Sequence, residues 1–504
     1  MEKLRQKLSA FTPQILAALL LIQPLLDVLS YFMRDLEATA VTTALRTVLL
    51  FTIGACGFLL SEKKRAYYIF LGVAGGFWLA HMLSCLRLGY ADPVADAGEY
   101  LKLIQLPLWT LCFVTFFRQK PRLAQQSAGL LAANFAIVLA IIALSYLTRM
   151  PEYTYARIQV GILGWFAVPT AQSAVVSLLT CGLLLWACRT ERFWVFCVGA
   201  LLGFGLLYAT GTRLAYYSAI LLAGGFFILF LLARGKMLLY CLPLAAVITA
   251  LFLLWNVSPM TQRREAAQDS YEIYQAETDA IMGEDKDFVY TGDPIPKDVE
   301  KKIRRVYEEV YTQENAVGAP LLGDLLDRFG TERVMEAYRY STRADVLYHT
   351  RTKKLKVMEL TWAEQDTLTK VLGFEYANSQ LGGNPYDPEN DFPALVYYYG
   401  WLGAGLYCSF AGFVLLAVLA RLLWHLRRLP EFLTVELGAY SMMFCLGLGA
   451  AQFSGNVMRR PSVTVYLSFA AAQIFQEIFR DSGRKLVARY EHRAGVTIKE
   501  LRGR

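Results

Sequence analysis

The chain has 504 residues, 56% of them apolar and 18% charged, with a formal net charge of +8. Mean hydropathy is +0.36, too high for an ordinary soluble domain, so a soluble enzyme is excluded and no nucleic-acid partner is expected. The nine cysteines all lie in or beside apolar runs, where they read as small buried hydrophobes and not as a disulfide framework.

From the N-terminus, apolar runs bounded by charges recur at about 11–33, 39–60, 66–86, 98–117, 123–147, 170–188, 191–210, 212–232 and 237–256. Each is close to the roughly 20 residues that an α-helix needs to cross a bilayer. The first carries Pro13, Gln14, Gln23, Pro24 and Asp27 and has no small-residue cleavage site, so it reads as a retained span. The sixth is preceded by an apolar piece broken by Gly164 and Pro169, which reads as a re-entrant or kinked entry. A hydrophilic stretch, 257–392, follows; loops of about this length are functional or disordered. Three further runs, at about 393–421, 432–454 and 461–480, bring the expected spans to twelve.

Charge orients the spans. With the N-terminus inside, the inner segments hold 24 Lys/Arg and the short outer loops only seven. Both termini are therefore expected in the cytoplasm and the long loop outside the cell membrane. That loop carries 17 Lys/Arg against 26 Asp/Glu. Ile303, Val306, Tyr307 and Val310 recur there at helical spacing, and 331–372 also reads as helical, so a folded helical cap is expected. The expected fold is all-α: a polytopic membrane helix bundle of about twelve transmembrane helices with a large extracytoplasmic helical loop between spans nine and ten. Its parts are spans one to nine (1–256), the cap (257–392), spans ten to twelve (393–480) and a basic cytoplasmic tail (481–504).

No phosphate-binding Gly-rich loop, metalloprotease helix, nucleophile elbow or Cys/His pair at zinc spacing occurs, and the four histidines are scattered. No metal or cofactor is expected. Three features stand out instead. Arg213, in the short turn Thr210-Gly211-Thr212-Arg213, can snorkel to headgroups or fork onto a phosphate, with Thr212 offering a hydroxyl. Arg343 begins a helix-like run on the acidic cap, where it is either solvated or functional; Arg339 and Arg351 lie close by. Glu389, Asp391 and their neighbours precede span ten, followed by Tyr397-Tyr398-Tyr399-Gly400. They form either a loop end with an aromatic belt or a general base at the outer surface. Within the membrane, Asp27 and Arg46 on adjacent spans are a functional pair or a structural ion pair.

Gly211-Thr212-Arg213, Arg343, Val371-Leu372-Gly373-Phe374, Glu389-Asn390-Asp391-Phe392 and Tyr399-Gly400-Trp401-Leu402-Gly403 occur in an order and spacing that resembles the O-antigen ligase and O-antigen polymerase superfamily. The resemblance covers the whole topology and is densest over about 190–410. It implies transfer or polymerisation of a glycan from an undecaprenyl-diphosphate-linked oligosaccharide donor to a glycan or lipid acceptor, among membrane lipids. By motif, Arg213 and Arg343 are the diphosphate arginines and Glu389 stands where lipid A ligases carry a histidine. That departure favours a polymerase or cell-wall glycan ligase, with Glu389 or Asp391 as base. The rival classes are a lipid-linked oligosaccharide flippase or transporter, against which no internal repeat is evident, and a non-enzymatic membrane protein.

Overall fold

The computed structural model describes residues 2–36, 38–313, 321–381, 384–428, 432–455 and 457–494. It is a helical bundle carrying a helical cap at one end. The bundle helices are α1 (Thr12–Asp35), α2 (Thr39–Leu60), α3 (Arg65–Leu88), α4 (Pro93–Gln119), α5 (Ala128–Leu147), α6 (Pro169–Arg189), α7 (Phe193–Thr210), α8 (Arg213–Ala233) and α9 (Cys241–Leu253). The cap contains α10 (Pro259–Met282), α11 (Lys297–Arg305), α12 (Gly323–Phe329), α13 (Thr331–Ala337), α14 (Thr350–Ala363) and α15 (Thr367–Leu372). The chain then returns to the bundle as α16 (Asp391–Trp424), α17 (Val435–Phe453) and α18 (Pro461–Ala494). Among the described residues, ten helices are long and apolar enough to cross a membrane. The two remaining expected spans, at 432–454 and 461–480, are the packed helices α17 and α18 and are not among those ten. Residues 495–504 of the basic tail lie outside the described residues.

α6 is the central helix, with 94% of its most apolar window buried, whereas α2 and α3 bury only 22% of theirs. The outer helices therefore present Leu, Ile and Phe to lipid, which is consistent with a bundle in hydrocarbon. Asp27 and Arg46 pair between α1 and α2, so these charges are mutually compensated. The piece before α6 forms a small antiparallel hairpin, β1 (Tyr153–Tyr155) and β2 (Val160–Ile162), followed by irregular backbone up to Pro169.

The cap has its own apolar core, with Ile303, Val306, Tyr307, Leu325, Val334 and Met335 among its most buried members. Met358, Leu372 and Phe374 instead join the core of the bundle, which locks the cap to the spans. The expected helical run over 331–372 is broken, because Arg339 and Tyr340 adopt left-handed backbone with φ of 52° and new helices start at capped positions: the His349 ring accepts from Thr352 N and the Asp366 carboxylate from Thr369 N.

Two glycines fix how the cap meets α16. A Cβ on Gly373 would lie 2.1 Å from the Tyr398 carbonyl oxygen, and one on Gly400 would lie 2.2 Å from that of Val371. Gly400 also kinks α16 with a φ of 64°. The Leu-Gly-Phe and Tyr-Gly motifs thus meet backbone to backbone, where no side chain fits. Beneath them, a buried cluster joins α3, α4 and the cap. His81 Nδ1 faces the Leu372 carbonyl oxygen at 2.8 Å, its Nε2 faces Asp96 at 2.9 Å, and Asp96 also accepts from the Tyr376 amide. A carbonyl only accepts, so Nδ1 carries a proton. Together with Cys85 these groups lie within 4.8 Å of one another, a proximity that spacing in the sequence did not reveal.

Candidate functional site

At the junction of cap and bundle lies a cavity of about 1150 Å3. Its polar end is built from three elements. α8 begins there: Thr212 is its N-cap, accepting from Ala215 N at 3.1 Å, and Arg213 is its first residue. Gly211 makes the preceding turn at a φ of 75°, and a Cβ on it would meet Pro259 at 2.6 Å. The first amides of a helix are unpaired and carry the positive end of its dipole, so this terminus favours an anion. α10 contributes Arg263, stacked over the Tyr155 ring at 5.5 Å. α14 contributes Arg351, with His349 and Thr350 at its start.

Among the described residues, three guanidinium groups therefore line the cavity, and the single lining carboxylate is Glu389. Glu389 accepts from Arg351 Nε at 2.6 Å and from Lys354 Nζ at 3.3 Å. Arg213 makes no ion pair among the described residues. His349 Nδ1 accepts from the Thr352 amide at 3.3 Å. Burial, and then the charges of Arg351, Arg263 and Arg213, hold its pKa below the ordinary 6.5. The ring is thus neutral at pH 7 with its proton on Nε2, a donor and not a base.

Away from the arginines the lining turns apolar. Tyr217 and Leu221 on α8 and Met442 and Leu446 on α17 line this part. Tyr217 and Leu221 are 49% and 61% exposed, so this arm opens sideways toward lipid. It closes at Gly225, where a Cβ would lie 2.2 Å from the Met442 sulfur.

The residues singled out from sequence separate here. Arg213, Thr212 and Glu389 share the cavity wall, although the Thr212 hydroxyl is already engaged by Ala215 N and by Ser173 Oγ at 2.6 Å. Arg343 is not among the lining residues: its side chain is 71% exposed and forks onto Asp345 at 3.0 and 2.7 Å. Arg351, one of its two sequence neighbours, occupies the cavity instead. Asp391 is fully buried at the start of α16. It accepts from the amides of Val457 and Met458 at 2.7 and 3.0 Å and from Arg459 Nε at 3.2 Å. Arg459 also binds Asp387 at 2.6 Å. Asp391 thus anchors the 387–391 segment and does not line the cavity. Arg263, His349 and Tyr155 were missed, because nothing in their local sequence marks them.

A membrane-embedded helical bundle whose cap closes a basic cavity continuous with a lipid-facing groove suits an enzyme acting on an amphipathic anion. The chain belongs to the family of O-antigen ligase like membrane proteins, whose model matches residues 9–480. Neither a curated protein nor a solved structure matches the chain. Membership supports a multi-pass membrane protein that ligates or polymerises glycan, with a lipid-linked donor and an acceptor.

Proposed function

We propose that the chain is a glycosyltransferase of the cell membrane that transfers or polymerises a glycan from an undecaprenyl-diphosphate donor, with the cap and cavity on the outer face and both termini in the cytoplasm. The observation that carries this reading is the coincidence of three arginines with one apolar, laterally open groove in a single cavity. Three guanidiniums against one carboxylate, which Lys354 also pairs, leave an excess of positive charge to meet the two negative charges of a diphosphate diester. The groove between α8 and α17 suits the polyprenyl chain. The charge asymmetry of the short loops supports the sidedness.

The roles follow from chemistry. As the glycosidic C–O bond breaks, negative charge grows on the leaving diphosphate, so fixed positive groups beside it stabilise the transition state more than the ground state. Arg213 takes the diphosphate bidentately, Arg351, held through Nε by Glu389, and Arg263 add charge, and the α8 N-terminus supplies amides. His349 donates Nε2–H to a phosphate oxygen. Glu389, beside the arginines, accepts the proton of the acceptor hydroxyl as it attacks the anomeric carbon. Asp391 has no direct chemical role in this scheme, and its anchoring contacts support the positioning of Glu389.

Purified protein supplied with a lipid-diphosphate-linked oligosaccharide tests the chemistry: formation of longer or transferred glycan with release of polyprenyl diphosphate is expected. Intact donor under conditions where the protein is folded would overturn it. A tag inserted between Asp269 and Thr291 tests the sidedness; it is expected to be labelled on intact cells, and labelling only after permeabilisation would reverse the orientation.

A further inference from the structure

A second, smaller cavity of about 330 Å3 lies at the same end of the bundle, walled by α2, α4 and the start of α18. The 387–391 segment divides it from the larger one: Asp387 lines the small cavity and Glu389, two residues on, lines the large one. Its walls carry the basic residues Arg34, Arg46, Lys102, Arg459 and Arg460 against the carboxylates of Glu99 and Asp387. Arg46 is paired with Asp27, Lys102 with Glu99, and the adjacent Arg459 with Asp387 and Asp391. Arg460 has neither an ion pair nor a side-chain hydrogen bond among the described residues, and Asp27, the carboxylate that acts on it most, is already held by Arg46.

A partly buried guanidinium with no direct ion pair, offset only by the more distant charges of Asp27 and Glu99, is costly. Structural ion pairing accounts for Arg46, Lys102 and Arg459; it does not account for Arg460. We propose that this cavity is a second anion site, distinct from the arginine cavity, in which Arg460 holds a phosphate group among the other basic residues of the wall. A guanidinium fork suits the tetrahedral oxygens of a phosphate monoester or diester. The cavity is lined by residues in the outer halves, by the orientation proposed above, of the candidate spans α1, α2 and α4, so the group is either a phospholipid headgroup or a phosphate arriving from solution. This assignment does not depend on the transfer chemistry above.

The test uses the full chain purified in a non-ionic detergent and phosphate-free buffer, with thermal unfolding as the readout of binding. The probes are phosphatidylglycerol, inorganic phosphate and, as a zwitterionic control, phosphatidylcholine. Phosphatidylglycerol or phosphate is expected to raise Tm, and Arg460→Gln to weaken that response on the order of tenfold, with Arg460→Lys falling between. A response to phosphatidylglycerol alone assigns a lipid headgroup; a response to inorganic phosphate as well assigns a free anion. Thr47→Leu, which fills the cavity without removing a charge, must also weaken the response, and it serves alone if Arg460→Gln does not fold. Because the arginine cavity also attracts anions, every response is read in an Arg213→Gln background, and Arg343→Gln, at an exposed arginine that lines neither cavity, must leave it unchanged. No response to either anion, a response equal to that of phosphatidylcholine, an equal response in the Arg460 and Thr47 variants, or loss through Arg343→Gln would overturn the proposal. Because binding and not turnover is read, an inactive transferase would not by itself count against it.

Discussion

Arg213→Ala is the most direct perturbation of the proposed diphosphate site. Arg213 lines the cavity and has no ion pair among the described residues, so its removal strands no buried carboxylate and stability should change little. Two unit charges about 4 Å apart at an effective dielectric near 20 interact by roughly 4 kcal/mol. Losing one preorganised donor of this kind typically costs about 10²–10³-fold in kcat. We expect a loss of that size in product formed from a lipid-diphosphate-linked oligosaccharide, with unchanged expression and Tm. Arg213→Lys keeps the charge but loses the fork, and should still lose about tenfold or more. Arg343→Ala is the internal control: its side chain is 71% exposed and satisfied by Asp345, so activity should stay near wild type. Near-wild-type product from Arg213→Ala, or a loss in Arg343→Ala as large as that in Arg213→Ala, would refute diphosphate binding by the cavity arginines.

Glu389→Gln keeps the shape of the side chain and removes the base, so turnover should fall by about 10²-fold or more while donor binding persists; full turnover would leave the base unassigned. Gly455→Ala would place a Cβ 1.6 Å from the Glu389 carbonyl oxygen, on backbone with a φ of 75°. It should lower Tm, at a cost of about 1–3 kcal/mol or more, and reduce activity by moving Glu389; an unchanged Tm would show that the segment gives way freely. The pKa of His349 is depressed in the fold, so below the ordinary value of 6.5 the unfolded chain binds the proton more readily than the native one. Its contribution to stability should therefore be fully present above 6.5 and be lost as pH falls from there through the folded pKa. His349→Gln should flatten that acid-side decline in Tm, and an identical decline in the variant would remove His349 as its source.

Local pattern was enough to read the helical membrane bundle, most of its spans and the helical content of the cap. Apolar runs of bilayer length can satisfy their backbone only as helices, and periodic apolar residues in 298–311 mark α11 and the π-helical turn Val306–Val310 that follows it. Sequence also singled out Arg213 and Glu389, both on the cavity wall. Which other arginines accompany them was decided only in three dimensions. Arg343 and Arg351 are eight residues apart on the same stretch of cap, yet the left-handed turn at Arg339 and Tyr340 and the helix start at His349 leave one exposed and bring the other to Glu389. Arg263 joins them from α10, a helix whose own sequence gives no hint of a site. Asp391 and Glu389 look alike in sequence. Packing gave Asp391 two backbone amides and Arg459, and left Glu389 facing the cavity. Helix formation depends on neighbours a turn away, whereas a cavity wall is assembled from segments more than a hundred residues apart, and no local pattern encodes which side chains will face one another across it.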